Sequence, residues 1–102
     1  MIHVIATINL KTGTRNAFLE HLMANVPAVL AEQGCHGYTP AIDIDAGLAA
    51  QGPLCADTVV IVEAWDSMAC LNAHLAAPHM TTYREKVKDM VDGTTLQVLE
   101  SA

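Results

Sequence analysis

Apolar residues recur along this chain at two periods, two and about three and a half, and the alternation between them sets the order of the elements. Ile2, Val4, Ala6, Ile8 and Leu10 fall on one face of an extended segment, with His3, Ile5, Thr7 and Asn9 on the other. Both faces are partly apolar, so both are expected to be covered. Lys11-Thr12-Gly13-Thr14 reads as a turn, with Thr14 placed to cap the first helix. From Arg15 to Glu32, Phe18, Leu22, Val26 and Val29 repeat at helical spacing, with Leu19, Met23 and Leu30 widening the stripe. Pro27 lies inside that pattern and predicts a kink or a restarted turn, and Gly34 predicts the stop. His36 to Ile44 reads as a second strand. Its Pro40 assigns it to a sheet edge or a bulge.

Asp45 to Asp57 (DAGLAAQGPLCAD) predicts a long connection, more apolar than a solvated loop requires. It reads either as a lid or arm over a pocket, or as a hairpin loop packed on a partner surface. The third strand is Thr58 to Trp65, whose Val59-Val60-Ile61-Val62 core is β-branched throughout. Asp66 or Ser67 offers an N-cap, and Met68, Leu71 and Leu75 come after it at helical spacing. Pro78 ends that helix and can begin another, carrying Met80, Tyr83, Val87 and Val91. Asp92-Gly93 reads as a turn before a last strand, Thr94 to Glu100.

The order β-α-β-β-α-(α)-β predicts an α+β, ferredoxin-like domain over residues 1–102, with a four-stranded antiparallel sheet and helices on one face. Nothing in the chain remains to cover the other face. Composition supports a partner there: of 102 residues, 52% are hydrophobic and only 16% charged, more apolar surface than a small core hides. A homodimer joined sheet to sheet is the expected assembly.

Charge narrows the function classes. The net charge is −6 and the pI about 5.1, and the five cations are Lys11, Arg15, Arg84, Lys86 and Lys88. No basic patch exists to neutralise phosphates, which argues against nucleic acid. No apolar run approaches the roughly 18–20 residues a membrane span needs. Met1-Ile2-His3 leads straight into a strand, which argues against a signal peptide. Cys35, Cys55 and Cys70 are three cysteines without CxxC spacing, which suits reduced thiols in a cytoplasm.

Three polar residues resist a packing explanation. Glu63 interrupts an apolar strand on the face of Ile61 and Trp65, where a carboxylate without a partner is costly. It is expected to orient a histidine or to pair with a cation such as Arg84. His74 borders the helix's apolar stripe and His79 comes just after the proline break. Neutral imidazoles there can take and give protons near pH 7. The candidate catalytic residues are therefore His74, His79 and Glu63. Trp65, Tyr83, Asn9, Tyr38 and Leu54 are candidates to line or contact a small, flat substrate. The histidines His3, His21, His36, His74 and His79 lack HxH, HExxH or cysteine-pair spacing, so no metal site is expected. No Gly-rich phosphate loop for a flavin or nicotinamide is present either, so no cofactor is expected.

Glu63, Trp65, Ser67, Met68-Ala69-Cys70-Leu71, His74, Pro78 and His79 together form E-x-W-x-S, a short helical run, and H-x-x-x-P-H. This resembles the antibiotic biosynthesis monooxygenase (ABM) domain family. Glu32-Gln33-Gly34-Cys35 with Tyr38 is similar to the family's E-x-G-C-x-x-Y element. The resemblance covers nearly the whole chain and implies a dimeric α+β barrel. Haem-degrading relatives carry an Asn on the first strand and a Trp late in the helix after E-x-W. Here those positions fall near Ala6 or Thr7 and at His74, which argues against haem breakdown.

The resemblance implies a cofactor-independent monooxygenase acting on a quinol or polycyclic phenol, with the substrate itself activating oxygen. The competing readings are an isomerase or tautomerase of a small oxygenated metabolite, using the same histidines without oxygen, and a non-enzymatic, ligand-binding dimer.

Overall fold

Alternation along the two most apolar strands decides which side of the sheet meets the helices. A computed structural model describes residues Met1–Ala102. The elements are β1 (Ile2–Leu10), α1 (Arg15–Leu30), β2 (Cys35–Ala41), β3 (Thr58–Trp65), α2 (Met68–Leu75), α3 (Pro78–Val87) and β4 (Val91–Glu100). In β1, Val4, Ala6, Ile8 and Leu10 are buried; in β3, Val59, Ile61, Glu63 and Trp65 are. Phe18, Leu22 and Val29 of α1, Leu71 of α2, and Met80, Tyr83 and Val87 of α3 meet them in one continuous core. Each such side chain contributes about 1.5–3 kcal/mol by leaving water.

The sheet order is β2-β3-β1-β4, and the three pairings are antiparallel. Val4 sits opposite Glu63 on one side and Val98 on the other, which fixes the register across the sheet. This is the ferredoxin-like arrangement, with β1 and β3 central and the helices on one face. On the other face Val62 and Leu99 remain 46% and 42% exposed. On the helix side of β4, Leu96 and Val98 are also half exposed, so the helix layer leaves that edge open.

Local chemistry explains most boundaries. Ser67 is extended and its hydroxyl accepts the Cys70 N–H at 3.3 Å, capping α2. Pro78 occupies the first turn of α3, where its missing N–H costs nothing. Gly34, at φ 79°, lies in the left-handed region, and a Cβ there would run into Cys70. That close approach lets the turn after α1 pack against α2.

The structure corrects the expected pattern in several places. Pro27 neither ends nor restarts α1, which continues to Leu30. It lies on the exposed side, where water can reach the carbonyl left without a donor. Thr14 does not cap α1 through its side chain; its hydroxyl donates to the Lys11 carbonyl at 2.7 Å. β2 is an edge strand, as Pro40 requires, but it ends at Ala41, and Ile42 and Ile44 lie beyond it, exposed. Its irregularity falls between Cys35 and Gly37, not at Pro40. Asp92-Gly93 is no turn: both lie within β4, which begins at Val91, and a register shift at Asn9/Leu10 absorbs the irregularity.

The connection from β2 to β3 has no regular element and is tied by its own polar groups. The Cys55 N–H donates to Asp43 at 2.7 Å and the Ala46 N–H to Gln51 at 2.9 Å. Leu48 and Leu54 point outward on it, 69% and 54% exposed. No helix is long and apolar enough to cross a membrane.

Candidate active site

The open edge beside β4 leads into a cavity of about 470 Å³ between the sheet and the helices. That volume suits a small organic ligand, for which sites usually span about 300–1,000 Å³. Its floor is the helix-facing side of the sheet: Ala6 and Ile8 of β1, Tyr38 of β2, Ile61 and Glu63 of β3, and Leu96 of β4. Phe18, His74, Leu75, Met80, Tyr83 and Val87 form the helical wall, and the exposed Arg84 and Lys88 stand at the rim. Arg84 is held there by donating to the Leu75 carbonyl at 2.7 Å.

Within this apolar setting the ionisable groups converge through strand alternation and helix placement. Glu63 is 5% exposed and accepts one hydrogen bond, from the Trp65 indole N–H at 3.0 Å. Burial pushes its carboxyl up to about 6; the indole N–H pulls it down, and the nearby Glu32 adds a smaller upward push. Glu63 therefore changes charge close to neutrality. His74 is 2% exposed, 4.6 Å from the Trp65 ring centre and 5.5 Å from that of Tyr38. Its Nδ1 lies 2.8 Å from Glu32 Oε2. A carboxylate only accepts, so Nδ1 carries the proton and Nε2 keeps its lone pair. Burial lowers the His74 pKa, while Glu32 opposes that effect. Burial also pushes the Tyr83 hydroxyl up to about 12 and raises Tyr38 further, so both remain protonated donors.

Glu63, His74, Tyr38 and Tyr83 are thus brought together around one cavity. The other sequence candidates lie elsewhere. Trp65 is wholly buried and does not line the cavity; it backs two groups that do, donating to Glu63 and packing against the His74 ring. Asn9 is on the opposite face of β1, at its exposed end, where it accepts from the Thr58 hydroxyl at 3.3 Å. Leu54 is on the outward loop and does not line the cavity. His79 turns away, into a smaller cavity of about 210 Å³ between α1 and α3, with His21, Asn25, Thr82 and Lys86. Glu63 orients no histidine and meets no cation. That orienting role falls to Glu32, whose Oε2 also lies 3.3 Å from His79 Nε2. Glu32 opens the E-x-G-C element, yet no one-dimensional spacing brings residue 32 against residue 74. No group of three or more His, Cys, Asp or Glu is placed to hold a metal ion.

Chemically, the arrangement offers a neutral imidazole with a free lone pair and a carboxyl that titrates near pH 6. Both border a mostly apolar space, open at the β4 edge, where a hydroxyl of a small ligand can be bound and deprotonated.

Comparison with known proteins agrees with this architecture. The model of the family described as "Antibiotic biosynthesis monooxygenase" matches residues 1–86. The Escherichia coli K12 protein named "Probable quinol monooxygenase YgiN" is 42% identical over 102 residues, covering 98% of this chain and 97% of its own. The solved structures of PA3566 from Pseudomonas aeruginosa and Rv0793 from Mycobacterium tuberculosis both superpose with a TM-score of 0.80. They are 22% and 24% identical, cover 99% of this chain, and are themselves covered to 93% and 94%. At that identity they speak for the fold. From the family match and the Escherichia coli relative, the chain belongs to the antibiotic biosynthesis monooxygenase family.

Proposed function

We propose that this protein is a monooxygenase that oxidises a quinol or polycyclic phenol without a bound cofactor, as a cytoplasmic homodimer. The observation that carries this reading is the placement of Glu63 and a Glu32-held His74 in one apolar cavity of about 470 Å³. The name of the Escherichia coli relative supports the substrate class. Tyr38 and Tyr83 donate hydrogen bonds to substrate oxygens. Arg84 and Lys88 at the rim favour a substrate with a polar or anionic outer edge.

His74 Nε2 takes the proton of the substrate hydroxyl, and Glu63, protonated or not according to pH, manages the second proton. The phenolate is electron-rich enough to reduce oxygen directly. For a quinol the balance is quinol plus O₂ giving hydroxyquinone plus water, so the quinol supplies all the electrons. The protein contributes deprotonation, orientation and a dry cavity.

The half-exposed Val62 and Leu99 on the uncovered sheet face support pairing with a second copy. The apolar loop carrying Leu48 and Leu54 then packs on that copy. Three free cysteines suit a reducing compartment.

An oxygen electrode with a panel of hydroquinones and naphthoquinols tests the reading. One O₂ consumed per hydroxyquinone formed is expected. His74→Ala and Glu63→Gln are each expected to lower kcat by about 10²–10⁴-fold, the usual worth of general acid–base groups. Turnover that persists without oxygen, or that ignores both substitutions, contradicts it.

A further inference from the structure

The proton that His74 removes from substrate needs a way out. His74 is 2% exposed and lines the cavity, so a ligand that fills the cavity would stand between its ring and solvent. The Nδ1 side of the ring points elsewhere, to Glu32 Oε2 at 2.8 Å. The same oxygen lies 3.3 Å from His79 Nε2. His79 has both ring nitrogens buried and neither in a hydrogen bond, although Nε2 lies within ion-pair distance of Glu32. A hydrogen bond to Glu32 requires a turn about its second side-chain torsion, a soft one for histidine. Beyond it is the second cavity, of about 210 Å³, bordered by His21 and Asn25 of α1 and by Thr82, Tyr83 and Lys86 of α3.

We propose that Glu32 and His79 form a proton relay that carries the substrate proton from His74 through the helix layer to the small cavity between α1 and α3. The proposal rests on the monooxygenase reading above. The steps balance as proton transfers alone. His74 Nε2 gains the substrate proton and Nδ1 yields its own to Glu32 Oε2. That oxygen passes it to His79 Nε2, and once the ring turns toward the smaller cavity His79 Nδ1 releases one to water there. In a serine-protease triad the carboxylate orients the imidazole and stays ionised. Here a second imidazole shares the same oxygen, so the carboxyl need hold the proton only in passing. His21 and Lys86 flank His79 on the outlet side and Glu32 and His74 on the inner side. Glu32 and His79 thus act through His74 and do not touch substrate.

Two measurements test the relay. In the first, ring nitrogens of ¹⁵N-histidine protein are followed by NMR. The Nδ1–H tautomer of His74 is expected in the wild type, and Glu32→Gln should disturb both the His74 and His79 signals. A His79 ring indifferent to Glu32→Gln overturns the relay. In the second, His79→Ala is assayed with a naphthoquinol in dilute buffer. It should turn over about 10- to 100-fold more slowly, within the range of a lost proton-transfer group. Added imidazole, small enough for the vacated space, should restore several-fold. Unchanged turnover, or a loss that imidazole does not rescue while His74 keeps its tautomer, also overturns it. If the wild type oxidises no quinol, the functional reading falls. The NMR comparison then decides the relay alone.

Discussion

Glu63→Gln offers the sharpest test of the cavity's electrostatics, because it changes one group's charge and little of its shape. The Glu63 carboxyl is raised by burial from 4.5 to about 6. The folded state therefore holds that proton more tightly than the unfolded chain does. Its contribution to stability is fully present below pH 4.5 and is lost as pH rises through about 6. At about 1.36 kcal/mol per pH unit, the loss amounts to about 2 kcal/mol. His74 works in the opposite direction: burial lowers its pKa, so its contribution is lost as pH falls below its ordinary 6.5. The wild-type curve alone thus mixes two trends, and the difference between wild type and Glu63→Gln isolates one. Urea unfolding of both proteins at intervals from pH 4 to pH 8 is the assay. The wild type should lose about 2 kcal/mol relative to the variant across that range, nearly all of it between pH 4.5 and pH 7. A difference that stays flat with pH refutes the account of Glu63 as a buried carboxyl held up by its surroundings.

Three further perturbations act on named contacts. Trp65→Phe removes the only N–H donated to Glu63; hydrogen bonds to charged groups are worth about 1.5–3 kcal/mol, so the Glu63 midpoint should rise by about one to two pH units, read by ¹³C-carboxyl NMR. Gly34→Ala forces a left-handed backbone at φ 79° and drives a methyl into Cys70. It should cost about 2 kcal/mol or more in urea unfolding, part of it recovered in the Cys70→Ala background. Pro27→Ala restores a helix hydrogen bond in α1. After allowing for the looser unfolded chain, it should stabilise by about 1–2 kcal/mol and raise the melting temperature by several degrees.

The fold is legible in the sequence because periodicity speaks directly about faces. Val4, Ala6, Ile8 and Leu10, and Val59, Ile61, Glu63 and Trp65, alternate as the sheet needs, and Ser67 and Pro78 mark helix starts by chemistry alone. Expectation and structure part where a local rule meets a tertiary one. Asp92-Gly93 has turn composition, yet pairing with β1 draws it into β4. Pro27 is a helix breaker, yet its exposed position and the packing of Leu22 and Val29 carry α1 past it. For the site, alternation places Glu63 on the inner face and helical spacing places His74 and Tyr83 near it. Spacing alone does not say which way a residue at a helix junction turns, so His79, one position past Pro78, groups with His74 in sequence but faces α1 in the fold. Glu32 shows the deeper limit: its partner is 42 residues away in sequence, and only the folded turn at Gly34 brings them together.

The central claim is that a phenolic ligand binds between the sheet and the helices with its hydroxyl at Glu63 and His74. The most direct measurement is a crystal structure with 2-naphthol soaked in without oxygen, so that a phenol of the proposed class can bind but cannot turn over. The account predicts ring density in the cavity, with the hydroxyl oxygen within about 2.6–3.2 Å of His74 Nε2 or a Glu63 oxygen. A naphthol bound instead on the uncovered sheet face, or a cavity left empty by a ligand that binds in solution, would contradict it.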